Sequence, residues 1–142
     1  MKFFSKILCV MLLLASFAAK AQNVTVGLLA NMAADPEVTF KKLHDAGFKA
    51  CQTGYNGNWT QKDAERLKEL QAKYDLKIST LMYCTPNCRW NFTEGPSTIG
   101  LVPPMNRLKY LDMHKRAIDF CVMAGIPAFH SHFGFIPEEP TS

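Results

Sequence analysis

No apolar run in this 142-residue chain reaches the roughly 20 residues needed to cross a bilayer. There is no basic cluster of the kind that holds nucleic acid through its phosphates. No glycine-rich loop stands before a helix to cradle a phosphate. No pair of carboxylates is grouped for acid–base work at a strand end, and no second Cys/His pair stands at zinc-finger spacing. These absences argue against a spanning helix, a DNA partner, a phosphosugar site and a finger-type metal module.

The longest apolar run, Ile7–Ala18, is preceded by Lys2 and Lys6 and followed by Ala19-Lys20-Ala21. A charged start, a short apolar stretch and a small-x-small site are the three parts of a secretory signal. Residues 1–21 are therefore expected to be a cleavable signal peptide, with the mature chain starting at Gln22 and exported to the periplasm or beyond. A membrane anchor is the weaker reading. Cys9 lies inside the run rather than at the cleavage point, where a lipid-modified cysteine would have to stand. The leader holds three of the sixteen basic residues and no acid, so the net charge of +4 becomes +1, thirteen against twelve, once it is removed. The remainder has no electrostatic footprint for DNA.

Four cysteines remain in the mature chain. Cys84 and Cys88 flank the turn-like Thr85-Pro86-Asn87 and are placed to bridge in an oxidising compartment. Cys51 and Cys121 fall on a predicted strand and helix and read as small buried apolar residues. A zinc site built on Cys84 and Cys88 is a weaker alternative.

From Val24 onward strand and helix patterns alternate. Val24–Leu29 is a short β-rich run, and Asp35-Pro36 supplies an N-cap followed by proline at the first helical position. The helix runs to Ala46 and ends at Gly47; Phe48–Gln52 is the next strand, and Tyr55–Asn58 reads as a loop. Thr60-x-x-Asp63 opens a second helix with Ala64, Leu67, Leu70 and Tyr74 at helical spacing. Lys77–Tyr83 is the third strand. The long connection Cys84–Asn106 follows, with Arg89-Trp90-Asn91-Phe92 too aromatic for a disordered tract and suited to an active-site loop. Arg107–Ala124 is the third helix, with Leu111, Ile118 and Val122 on one stripe and Gly125 as its stop. Ile126–Phe135 is then a buried strand carrying His130 and His132 near its end.

Four strands joined by three helical crossovers predict parallel strands in the order 1-2-3-4. An eight-stranded (β/α)8 TIM barrel takes about 250 residues, so residues 22–142 correspond to the amino-terminal half of one. The expected fold class is α/β, a partial barrel of about four parallel strands and three helices after the signal peptide. The inner face and both edges of such a sheet lack partners within these residues, and the chain is expected to self-associate. His130 and His132 share one strand face, and catalytic groups of barrels stand at the carboxyl ends of strands. A packed core imidazole is the plain alternative, more so for His130, which is expected to lie one layer deeper.

Val26-Gly27-Leu28-Leu29, Ala46-Gly47-Phe48, Leu76-Lys77-Ile78-Ser79, Thr98-Ile99-Gly100-Leu101-Val102-Pro103 and Ala124-Gly125-Ile126-Pro127 followed by His132-Phe133-Gly134-Phe135 resemble the sugar phosphate isomerase/epimerase superfamily. This is the xylose isomerase-like TIM barrel, related in fold to the AP endonuclease branch. The resemblance spans Val24–Pro137. It implies isomerisation or epimerisation of a sugar or sugar derivative by proton transfer beside a carbonyl, with a divalent metal ion in the full-length protein. It also implies that the metal is held by carboxylates and a histidine from later strands, while a histidine in a His-x-Gly setting at the fourth strand end lines the pocket. His132-Phe133-Gly134 matches that element. The AP endonuclease branch has a histidine near its third strand end, where this chain has Tyr83 and Cys84.

The substrate-pocket candidates are thus His132, His130, Tyr83, Arg89 and Trp90, with a disulfide between Cys84 and Cys88. No metal ligand set is expected within these residues, nor tight metal binding by them. Glu138 and Glu139, between Pro137 and Pro140, read as a solvated segment. The partner is expected to be an unphosphorylated sugar or sugar derivative, with no nucleic acid and no membrane after cleavage. Two alternatives remain: a non-catalytic carbohydrate-binding barrel using Tyr55, Trp59, Trp90 and Phe92, and a metal-dependent hydrolase using His130 and His132 as a His-x-His pair.

Overall fold

The computed structural model describes residues 24–135 apart from 33, 56 and 85. The expected signal peptide, its cleavage site and the Glu138-Glu139 segment lie outside the described residues. Within them the chain runs β1 (Gly27–Ala30), α1 (Pro36–Asp45), β2 (Ala50–Tyr55), α2 (Gln61–Tyr74), β3 (Lys77–Tyr83), a short α3 (Gly95–Thr98), a 3-10 turn (Pro104–Asn106), α4 (Arg107–Ala124) and β4 (Phe129–Ser131). The four strands form one sheet in the order β1-β2-β3-β4, and every pair is parallel. This is a partial barrel of the α/β class.

Local chemistry sets the helix ends. Asp35 is extended and its Oδ1 accepts from the Glu37 amide at 3.0 Å, while Pro36 begins α1. At α2 the Asp63 carboxylate accepts from both the amide and the hydroxyl of Thr60, and these bonds hold its pKa below the usual carboxylate value. Gly125 closes α4 in the left-handed conformation at φ 68°. Glu37 on α1 pairs with Lys73 and Arg66 on α2, tying the two helices together on the solvent side.

The core lies between the sheet and the helices. Phe40 and Leu43 of α1, Ala64, Leu67 and Leu70 of α2, and Ala117, Phe120, Cys121 and Ala124 of α4 pack on Cys51, Tyr55, Ile78, Leu81 and Tyr83. Cys51 and Cys121 are free thiols buried there, and desolvation pushes each up to about 11. The opposite face of the sheet is open, leaving Leu29, Gly54, Ser79 and His130 exposed.

Several elements differ from the sequence reading. β1 starts at Gly27, and Val24 and Val26 stand outside it, exposed. β2 runs from Ala50 to Tyr55 because its pairing with β3 continues through Gly54↔Met82 and Tyr55↔Tyr83, so Tyr55 is strand rather than loop. β4 is confined to Phe129–Ser131: Pro127 has no N–H for a ladder, and beyond Ser131 the Phe133 carbonyl turns to the long loop. The expected stripe Leu111, Ile118 and Val122 is exposed, and α4 buries Tyr110, His114, Ala117, Phe120, Cys121 and Ala124 instead. That helix carries apolar residues on two faces. The face toward the sheet and α2 is the one that joins the buried core.

Candidate functional site

At the carboxyl end of β4 the alternation of the strand sorts the side chains. Met82 pairs with His130 and Tyr83 with Ser131. Phe129 and Ser131 face the helix layer, while His130 and His132 project to the open inner face, with ring centres 5.1 Å apart. The expectation that His130 lies deeper in a core is corrected: its side chain is exposed, because no layer covers the inner face among the described residues.

The long loop closes over this strand end. Leu101 and Val102 donate their amides to the Phe133 carbonyl at 2.7 and 3.0 Å. Gly100, at φ 71°, lets the backbone pass so close that a Cβ there would overlap the Phe133 carbonyl and the His132 oxygen. The loop is further fastened where Arg107 donates to the Leu101 and Val102 carbonyls at 3.0 Å each, and where α3 offers the Thr98 hydroxyl to the Arg89 amide at 3.1 Å. Cys84 and Cys88 are joined as a disulfide across 6.8 Å between Cα atoms, and the Tyr110 hydroxyl donates to the Pro86 carbonyl. These ties carry the Trp90 ring to His132, with centres 4.6 Å apart and planes at 78°. Trp90 remains 62% exposed, so its free surface faces solvent beside the two histidines. Arg89 is exposed and is held here through its backbone.

Tyr83 does not join them. It is 1% exposed and faces the helix layer, 5.6 Å from the Tyr55 ring and 5.5 Å from His114. The cause is a bulge in β3. Cys51 pairs with Ile78 but Gln52 pairs with Thr80, so Ser79 is an extra residue and the alternation reverses beyond it. Had Ser79 taken its place in a regular alternation from Ile78, with no bulge, Tyr83 would point to the inner face. Its hydroxyl is buried without a hydrogen-bond partner among the described residues, and burial pushes the phenol up. Tyr55 and Trp59 likewise belong to the aromatic core with Phe120, whereas Phe92 is almost fully exposed.

The sequence reading missed His114. It is 4% exposed on α4, its Nδ1 donates to the Tyr110 carbonyl, and its Nε2 lies 2.6 Å from the Ser131 hydroxyl. A carbonyl can only accept, which puts the proton on Nδ1 and leaves Nε2 to accept from Ser131. The pair pins the residue between His130 and His132 to the helix layer. Tyr110, His114, Ala117, Cys121 and Ala124 recur at helical spacing, the one signal that could have revealed it.

Comparison with solved structures places the fold. A xylose isomerase domain protein from Planctomyces limnophilus superimposes with a TM-score of 0.71 at 21% identity, over 82% of this chain and 43% of that one. An AP endonuclease of family 2 from Brucella melitensis superimposes with a TM-score of 0.56 at 10% identity, over 78% of this chain and 41% of that one. No family model and no curated protein matches the sequence. The chain has the xylose isomerase-like barrel fold and spans less than half the length of these two structures.

Proposed function

We propose that the chain forms the amino-terminal half-barrel of an exported enzyme that isomerises or epimerises an unphosphorylated sugar or sugar derivative, with His132 and Trp90 as one wall of its pocket. The observation that carries this reading is the loop-held contact of Trp90 with His132 at the carboxyl end of β4, the end at which barrels place their chemistry. Neither ring nitrogen of His132 is engaged by another described residue, which leaves them for substrate hydroxyls. The exposed indole offers an apolar plane for a sugar's C–H face.

Proton transfer beside a carbonyl needs a base at the carbon and an electrophile at the developing oxyanion. The described strand ends supply orientation rather than either group. The divalent metal that the family resemblance implies takes oxygen ligands. Among the described residues no group of three or more His, Cys, Asp or Glu side chains could hold one. Two imidazoles do not fit such a cation. The 142-residue chain by itself is expected to show no turnover.

The test is His132→Ala in the full gene product, assayed on a panel of free sugars for turnover and for binding. Loss of turnover with an unchanged melting curve supports the reading, and full activity in an active enzyme overturns it. The exposed aromatics Trp90 and Phe92 also suit a carbohydrate-binding barrel without chemistry, which would show sugar binding and no turnover. The metal-dependent hydrolase reading would be supported only by metal-dependent hydrolysis.

A further inference from the structure

We propose that His130 and His132 form a two-imidazole chelate on the open face of the sheet for a borderline transition-metal ion such as Ni(II) or Zn(II). Both side chains leave the same strand face two residues apart. Ser131 between them is fixed to His114 on the other side of the sheet, which anchors the strand segment that carries the two histidines. An imidazole nitrogen lies about 1.1 Å from its ring centre; two rings bound at about 2.0–2.1 Å with a tetrahedral angle therefore have centres about 5 Å apart. The separation is 5.1 Å with the planes tilted by 52°. The histidines are exposed and half-exposed, and no described residue hydrogen-bonds to either ring.

The donor chemistry selects the ion. Imidazole nitrogen suits Ni, Cu and Zn, whereas Mg and Ca take oxygen. The site is therefore distinct from the hard-cation site that the family resemblance implies, and its remaining coordination positions are left for water or an incoming ligand. Among the described residues the remaining histidines and the cysteines do not form a second chelating pair: His44, alone on α1, donates its Nδ1 to the Tyr74 carbonyl. His114 uses both ring nitrogens, Cys84 and Cys88 are bridged, and Cys51 and Cys121 are buried. Trp90, in contact with His132, reports occupancy, and Trp59 in the core serves as an internal reference.

The experiment titrates the complete chain with Ni(II) alone, by calorimetry and by tryptophan emission, with no sugar present, so its outcome is independent of the sugar reading. One ion per chain at micromolar affinity is expected, with quenching of Trp90 and no heat from Mg(II). His130→Gln and His132→Gln should each weaken binding by at least tenfold, because one imidazole alone binds without the chelate, and the double variant should bind most weakly of the three. Trp90→Phe should keep the affinity and lose most of the quenching. Circular dichroism of each variant establishes that it folds. Affinity within threefold of the parent in either folded histidine variant overturns the proposal, as does equal binding of Mg(II).

Discussion

Replacing Gly100 by alanine tests whether the long loop is seated on the segment after β4, and Gly125→Ala is its matched control. The two glycines have nearly the same backbone, φ 71° and 68°. A Cβ at Gly125 meets nothing within 4 Å, whereas at Gly100 it runs into the Phe133 and His132 backbone. Each alanine costs about 1 kcal/mol for the left-handed conformation and gains a similar unfolded-state term, so those contributions cancel in the comparison. What remains at Gly100 is a clash with backbone that cannot rotate aside. Relieving it means withdrawing the loop from Phe133 and breaking the bonds from the Leu101 and Val102 amides. At about 0.5–1.5 kcal/mol net for each bond, the excess over Gly125→Ala is about 1–3 kcal/mol. That corresponds to about 5- to 150-fold in the local opening constant. Native-state hydrogen exchange at Leu101 and Val102 should accelerate by that factor in Gly100→Ala and stay near the parent value in Gly125→Ala. Trp90 emission should shift to the red only in the former. Exchange at the two amides within twofold of the parent in Gly100→Ala would refute the docking.

Two further outcomes follow from the core and the sheet edges. Burial raises the Cys51 and Cys121 thiols from 9.0 to about 11, so the folded chain holds their protons where the unfolded chain has lost them. Stability is therefore fully present below pH 9 and falls as pH rises toward 11. Iodoacetamide at pH 8 should leave both unlabelled until urea is added, and rapid native labelling would contradict their placement. Among the described residues β1 and β4 each pair on one side only, and Leu108, Leu111, Ile118 and Val122 are exposed on α4. The chain is predicted to self-associate, less so after Leu111→Glu with Ile118→Glu; a monodisperse, cooperatively melting parent in ultracentrifugation and calorimetry would count against it.

Much of the architecture was legible one element at a time. The Asp35-Pro36 and Thr60-x-x-Asp63 signals mark helix starts, and Gly47 and Gly125 mark helix ends, because capping is settled by a few neighbouring atoms. Alternation of strand and helix patterns was enough to imply a parallel sheet in sequential order, since crossovers leave few other arrangements. The placement of His130 and His132 on one strand face followed from period two alone. Three matters were decided only by the tertiary structure. The direction of Tyr83 depended on a one-residue bulge at Ser79, a register effect set between strands and invisible in either one. The buried stripe of α4 depended on which neighbours reach it, because both of its apolar faces satisfy helical spacing equally well. The meeting of Trp90 with His132, forty-two residues later, required the loop to pass Gly100 against Phe133, a backbone contact that no local pattern encodes.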